Sequence, residues 1–122
     1  MVAQGCRSDQ GSAEAQVSLG FAYDQSWGVA MDKAEAIKWF HKAAEHGSAT
    51  AEYSLGIMYS SGVGIPRDDV QAYMWFNLAA AHGDQSAITN RNLVEKAMTP
   101  EQLSQAQSMS NAWSQQHPST AQ

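Results

Sequence analysis

The stretch GSAEAQVSLGFAYDQSWGVAMDKAEAIKWFHKAAEHG, residues 11–47, is followed by GSATAEYSLGIMYSSGVGIPRDDVQAYMWFNLAAAHG, residues 47–83. Laid over each other at an offset of 36, the two align without a gap and agree at 17 of 37 positions. A fixed period of roughly 20 to 50 residues marks a stacked array, in which each unit buries its apolar face against its neighbour. The phrase recurs because the same packing problem recurs.

Each unit reads as a pair of helices. Ser12 and Ser48 stand where the first helix of each unit begins, and Asp84, one period further on, opens a third. Their short side chains can accept a backbone N–H of the first turn that has no partner within the helix. Asp32 and Asp68 open the second helices, and Glu35 and Gln71 three residues later predict a reciprocal capping box in both units. Gly47 and Gly83 close those helices in the left-handed conformation that a glycine adopts without Cβ strain. The connecting loops DQSWGVAM and SSGVGIPR carry glycines, and Pro66 reinforces the second break.

Helical periodicity assigns the buried faces. Ala15, Leu19 and Tyr23 form one stripe, matched by Ala51, Leu55 and Tyr59. Gly20 and Gly56 flank it. A glycine inside a helix costs about 1 kcal/mol relative to Ala, so its repetition predicts a neighbour too close for a side chain. In the second helices Ala36, Trp39, Phe40, Ala43 and Ala44 are matched by Ala72, Trp75, Phe76, Ala79 and Ala80, large rings facing small alanines. The identity fades after Ala87, where Arg91 and Asn92 replace the expected Leu-Gly pair. A helix still fits Asp84 to Met98, and Thr99-Pro100-Glu101-Gln102 opens a last one with an N-cap, a proline at N1 and a capping-box Gln. Its stripe is Leu103, Ala106, Ser110 and Trp113, with Gln and Ser elsewhere, as the terminal unit of a soluble stack requires. Fraying is expected from Gln115 onward.

At these residues the sequence resembles the Sel-one-like repeat family, helical-hairpin relatives of the tetratricopeptide repeat. The family unit resembles A-x-x-x-L-G-x-x-Y-x-x-G-x-G-V, then Asp, then K-A-x-x-W-x-x-x-A-A-x-x-G. The matching positions are Ala51, Leu55, Gly56, Tyr59, Gly62, Gly64, Ile65, Asp68, Ala72, Trp75, Ala79, Ala80 and Gly83. The first unit departs at Ser26, where the glycine corresponding to Gly62 is replaced. The resemblance implies an adaptor or scaffold that presents a curved surface to partner proteins, with many bacterial members acting in envelope, secretion or host-contact settings. Certain disulfide-rich relatives bind penicillin-like compounds. This chain has only Cys6 and lacks their paired cysteines.

The reading is an all-α chain, an α-α superhelix or right-handed solenoid of two helix-turn-helix repeats plus a C-terminal helical cap. Its expected divisions are a flexible lead-in at 1–11, two repeats at 12–47 and 48–83, capping helices at 84–116 and a disordered tail at 117–122. A chain of 122 residues with a net charge of -5 has room for one real core. Its scattered Lys and Arg offer no concentrated positive field, so nucleic acid is excluded as a partner. No apolar run approaches the roughly 20 residues of a membrane span, so membrane insertion is excluded too. The N-terminus has no apolar signal segment. The sequence does not fix the compartment; the resemblance leaves the bacterial cytoplasm or, had a signal been removed, the periplasm or the outside.

No cofactor or metal is expected. Asp32, Asp68 and Asp69 fit helix ends better than catalysis, and GVGIPRDD lacks the Lys-Ser/Thr ending of a phosphate loop. His46 and His82 stand one unit apart, in last turns where imidazole meets free carbonyls. His41 reads as surface, and Trp39 and Trp75 read as core. The function expected is a non-catalytic protein-interaction module for a protein or peptide. The opposite side of the first helices supplies the candidate contact residues Val17, Phe21, Tyr53, Ser54, Ile57, Asn90 and Leu93, with Trp27 in the first loop. The bland alternative is that the larger of these pack between units. A structural oligomerisation unit, associating as a weak homodimer through Met74, Leu78 and their neighbours, is the runner-up to a monomeric adaptor. A penicillin-type binder or hydrolase stands behind both.

Overall fold

The computed structural model describes residues 15–23, 32–62 and 65–117. These form helices throughout: α1 at residues 15–23, α2 (Lys33–Glu45), α3 (Ala49–Ser61), α4 (Asp69–Ala80), α5 (Gln85–Glu95) and α6 (Pro100–Gln116). No strand occurs among the described residues, and the chain is an all-α helical-repeat solenoid. The lead-in with Cys6, the loop holding Trp27, and residues 63, 64 and 118–122 lie outside the described residues.

The helix starts follow the expected chemistry. Asp32, Ser48, Asp68 and Asp84 each accept the backbone N–H three residues on, at 3.1 Å in every case. The reciprocal half of the capping box forms only at Thr99, whose backbone N–H donates to Gln102 Oε1 at 3.0 Å. At Asp32 and Asp68 the expected box is corrected. There the N-cap backbone N–H donates instead to the Tyr23 and Tyr59 carbonyls, both at 2.9 Å. That bond ties the end of each first helix to the start of the second across the loop. The third side chain is then free for other work: Glu35 pairs with Lys38, and Gln71 Oε1 accepts the Trp75 indole N–H at 3.1 Å.

The glycines close helices as predicted, with φ of 89° at Gly47 and 92° at Gly83. Around Gly47 the Ser48 N–H reaches the Ala43 carbonyl and the Gly47 N–H the Ala44 carbonyl, the paired bonds of a Schellman ending. The glycines inside α1 and α3 have the other predicted cause. A Cβ on Gly20 would stand 2.7 Å from the Phe40 ring, and one on Gly56 only 2.6 Å from the Phe76 ring. The second helix of each unit therefore seats its phenyl ring directly on the backbone of the first.

Packing centres on α4, which contacts α3, α5 and α6, while α2 covers α3. One core joins Ala36, Phe40, Ala43 and Ala44 of α2 to Ala51, Leu55 and Met58 of α3 and Met74, Trp75 and Leu78 of α4. A second joins Ala72, Tyr73 and Phe76 of α4 to Val94 of α5 and Ala106 of α6. Helix α4 is enclosed on several sides, which is why it is apolar almost all round. Trp75, Phe40, Phe76 and Leu55 are the largest wholly buried side chains, each contributing about 1.5–3 kcal/mol by leaving water.

The two units are not equally enclosed. Leu55 is fully buried, but its counterpart Leu19 is 38% exposed, and Ala15 is exposed where Ala51 is buried. The expectation that both stripes are core is thus corrected for α1. Helix α2 lies over the stripe of α3, while in α1 only Tyr23 of the stripe is half-buried against the core. Trp39 is likewise half-buried, with Lys42 Nζ 4.5 Å from its ring centre, against a fully buried Trp75. The patch of Tyr73, Met74 and Leu78 is covered by α6 through Leu103, Met109 and Trp113, so it is not open for the self-association considered above. Gln115 and Gln116 are helical and not frayed, because Trp113 and His117 hold that end down by stacking.

Gly56→Ala forces a methyl into the Phe76 ring and should lower stability by about 1–3 kcal/mol, the usual cost of overpacking. A shift of the urea midpoint to lower concentration at unchanged slope checks this.

Candidate functional site

The leading helices α1, α3 and α5 place side chains 36 residues apart in equivalent positions, so Phe21, Ile57 and Leu93 form one row. The row is uneven. Phe21 is half-buried, its ring edge-on to Phe40 at 5.2 Å, and half-buried Val17 also packs on the core. Tyr53 tilts against Phe76 at 5.7 Å and its hydroxyl accepts from Asn90 Nδ2 at 3.1 Å. Asn90 donates as well to the Ser86 carbonyl one turn back in α5, which orients its amide toward Tyr53. Ser54 is buried. Ile57 is 38% exposed and Leu93 is 57% exposed. Around them Ser18, Thr50, Ser86 and Thr89 are exposed and small.

The sequence-derived residues thus separate into two groups. Val17, Phe21, Tyr53, Ser54 and Asn90 touch neighbouring side chains or sit inside the stack, while Ile57 and Leu93 stand open beside them. Trp27 lies outside the described residues.

The ionisable groups take structural positions. Asp69 forms a two-point ion pair with Arg67, at 2.9 and 3.3 Å, on the surface. His41 is corrected from surface to half-buried: its ring packs edge-on to Trp75 at 5.0 Å and lies 6.3 Å from Trp113. His82 turns its Nε2 toward Glu52 Oε1 at 3.4 Å, in place of the expected carbonyls at its own helix end. Glu52 is 3% exposed, and burial pushes its carboxyl up to about 8, outweighing any pull from the nearby imidazole. Its Oε1 accepts no hydrogen bond, nor does Gln16 Oε1 at the equivalent position of the first unit. The matched Gln16 and Glu52 were the available clue to this inward polar position. Among the described residues no three His, Cys, Asp or Glu side chains cluster as a metal site, and no helix is long and apolar enough to cross a membrane.

A stack of helix pairs with an open row on its leading helices is the architecture of a helical-repeat solenoid. The Sel1 repeat model matches residues 13–48 and 49–84, and the chain belongs to the Sel1 repeat family. It is similar to a protective antigen present in uropathogenic Escherichia coli strains that displays an SLR fold: 39% identity, TM-score 0.81, covering 86% of this chain and 23% of that one. It is also similar to a Sel1 repeat protein from Oxalobacter formigenes: 34% identity, TM-score 0.64, covering 67% of this chain and 34% of that one. The chain therefore spans about a quarter to a third of the length of these two proteins. No curated protein matches it. Sel1 repeats generally serve as scaffolds for protein interaction and are typically non-catalytic.

Because the folded state resists ionising Glu52, stability is full below the ordinary carboxyl range near 4.5 and is lost as pH rises from there toward about 8. Glu52→Gln, which copies Gln16, should remove this loss. It is worth about 1.4 kcal/mol for each unit by which ionisation is resisted. Melting temperatures of both forms compared at acid and at mildly basic pH check it, with the variant's advantage growing toward base.

Proposed function

We propose that this chain is a non-catalytic interaction module that holds a peptide or a partner protein along the leading-helix row. The carrying observation is the pair Ile57 and Leu93: large apolar side chains at the same repeat position, exposed, on helices held in register by the Tyr53–Asn90 hydrogen bond. Exposed apolar groups beside small hydroxyls leave room for another backbone to approach and bury them. Val17, Phe21, Tyr53, Ser54 and Asn90 support this floor from beneath or beside, and Trp27 belongs with the contact residues at the loop end. The acidic chain favours a partner that is neutral or basic. The carboxylates at Asp32, Asp68 and Asp84 accept backbone N–H groups at helix starts, which supports a structural role for them. The domain reading that goes with this function is two repeats at 12–47 and 48–83 with a cap at 84–116.

Ile57→Asp with Leu93→Asp should reduce partner capture from the source cell at least about tenfold, the usual effect of losing about 1.4 kcal/mol of contact. The thermal midpoint should move little, because both side chains are exposed. Undiminished capture by the double variant would overturn the reading, and a large drop in midpoint would return these residues to packing.

A further inference from the structure

Helix α6 is fastened by a group of rings that the repeat pattern does not supply. His41 of α2 has Asn77 as its counterpart, so its ring is particular to the first unit. It meets Trp75 of α4 at 5.0 Å and Trp113 of α6 at 6.3 Å. Trp113 meets Trp75 at 4.8 Å and stacks on His117 at 3.8 Å with 18° between planes. Three helices thus converge on two indoles and two imidazoles, at the end of α6 that covers Met74 and Leu78.

The surroundings of His41 suit a neutral ring. On α2 the nearby charged groups are Glu45, which is exposed, Lys38, which pairs with Glu35, and Lys42, which lies over Trp39. Helix α4 carries no acidic or basic side chain beyond Asp69, only Tyr73, and α6 carries none beyond Glu101 until His117. A proton on His41 therefore loses water and gains the carboxylate of Glu45, one helical turn further along α2. Burial accordingly lowers the affinity of His41 for a proton below its ordinary 6.5, against the smaller upward pull of Glu45.

We propose that the cluster of His41, Trp75, Trp113 and His117 is an acid-released latch, which holds α6 on the stack at neutral pH and lets it lift as the pH falls. The sign follows from linkage. Docked His41 binds a proton less readily than released His41, so acidification below about 6.5 favours release, by up to about tenfold per pH unit. Lifting α6 uncovers Tyr73, Met74 and Leu78, a contiguous apolar surface on α4. Glu52 cannot produce the same response, because its contribution to stability is lost toward base.

The test is amide exchange of the full chain between about pH 7.5 and 5, corrected for intrinsic exchange, with α3 as internal reference, alongside an NMR titration of the His41 ring. Protection of α6 relative to α3 should fall as the pH drops below about 6.5. His41→Asn, which copies Asn77, should flatten that dependence. A His41 titration below 6.5 supports the latch. Constant relative protection in the native chain, an equal fall in the variant, or a His41 midpoint at or above 6.5 overturns it. Should His41→Asn already loosen α6 at neutral pH, the native-chain exchange and titration decide the matter alone.

Discussion

A phenyl ring seated on a glycine backbone sets the distance between the two helices of each unit. Phe40 over Gly20 and Phe76 over Gly56 occupy the volume a Cβ would need, so the helices approach more closely than any side-chain-bearing pair would permit. That close approach brings the Tyr23 and Tyr59 carbonyls within 2.9 Å of the Asp32 and Asp68 N–H groups, which joins the hairpin across its loop. The same backbone N–H cannot also serve a capping box, so Glu35 and Gln71 take other partners. The local ending of a helix is thereby subordinate to the packing of a ring.

Repetition of that hairpin brings unequal burial. Helix α3 has α2 on one side and α4 on the other, so Leu55 is sealed, whereas Leu19 is 38% exposed. Helix α6 packs against α4. It encloses the apolar outer face of α4 with Leu103, Ala106, Met109 and Trp113 and turns Gln and Ser outward. With that face closed, the large apolar side chains left exposed among the described residues are Leu19, Ile57 and Leu93, all on the leading helices. The scaffold role common to Sel1 repeats is consistent with this distribution.

Polar groups inside the stack divide by whether packing gives them a partner. Trp75 has Gln71 for its indole N–H, but Trp39 has Glu35 in that place, drawn away to Lys38, and its N–H is left unpaired. Glu52 is enclosed without a hydrogen bond at Oε1, and the low polarity of its site raises its proton affinity. Glu52 thereby makes the stability of the stack fall as pH rises from about 4.5 toward about 8, which a wholly apolar core would not do.

The amino-acid sequence by itself determined the repeat, the helix pairs, the N-caps at Asp32, Ser48, Asp68, Asp84 and Thr99, and the close helix approach at Gly20 and Gly56, because each depends on spacing within or between identical units. It also carried the stripe of α6, whose period is local. Only the tertiary structure decided that Leu19 is open while Leu55 is sealed, that His41 lies among tryptophans, that His82 reaches Glu52, and that Tyr53 and Asn90 bind each other. Those outcomes depend on which helix comes to lie against which. A periodic sequence describes each unit alike, but burial is set by neighbours, and equivalent positions do not have the same neighbours.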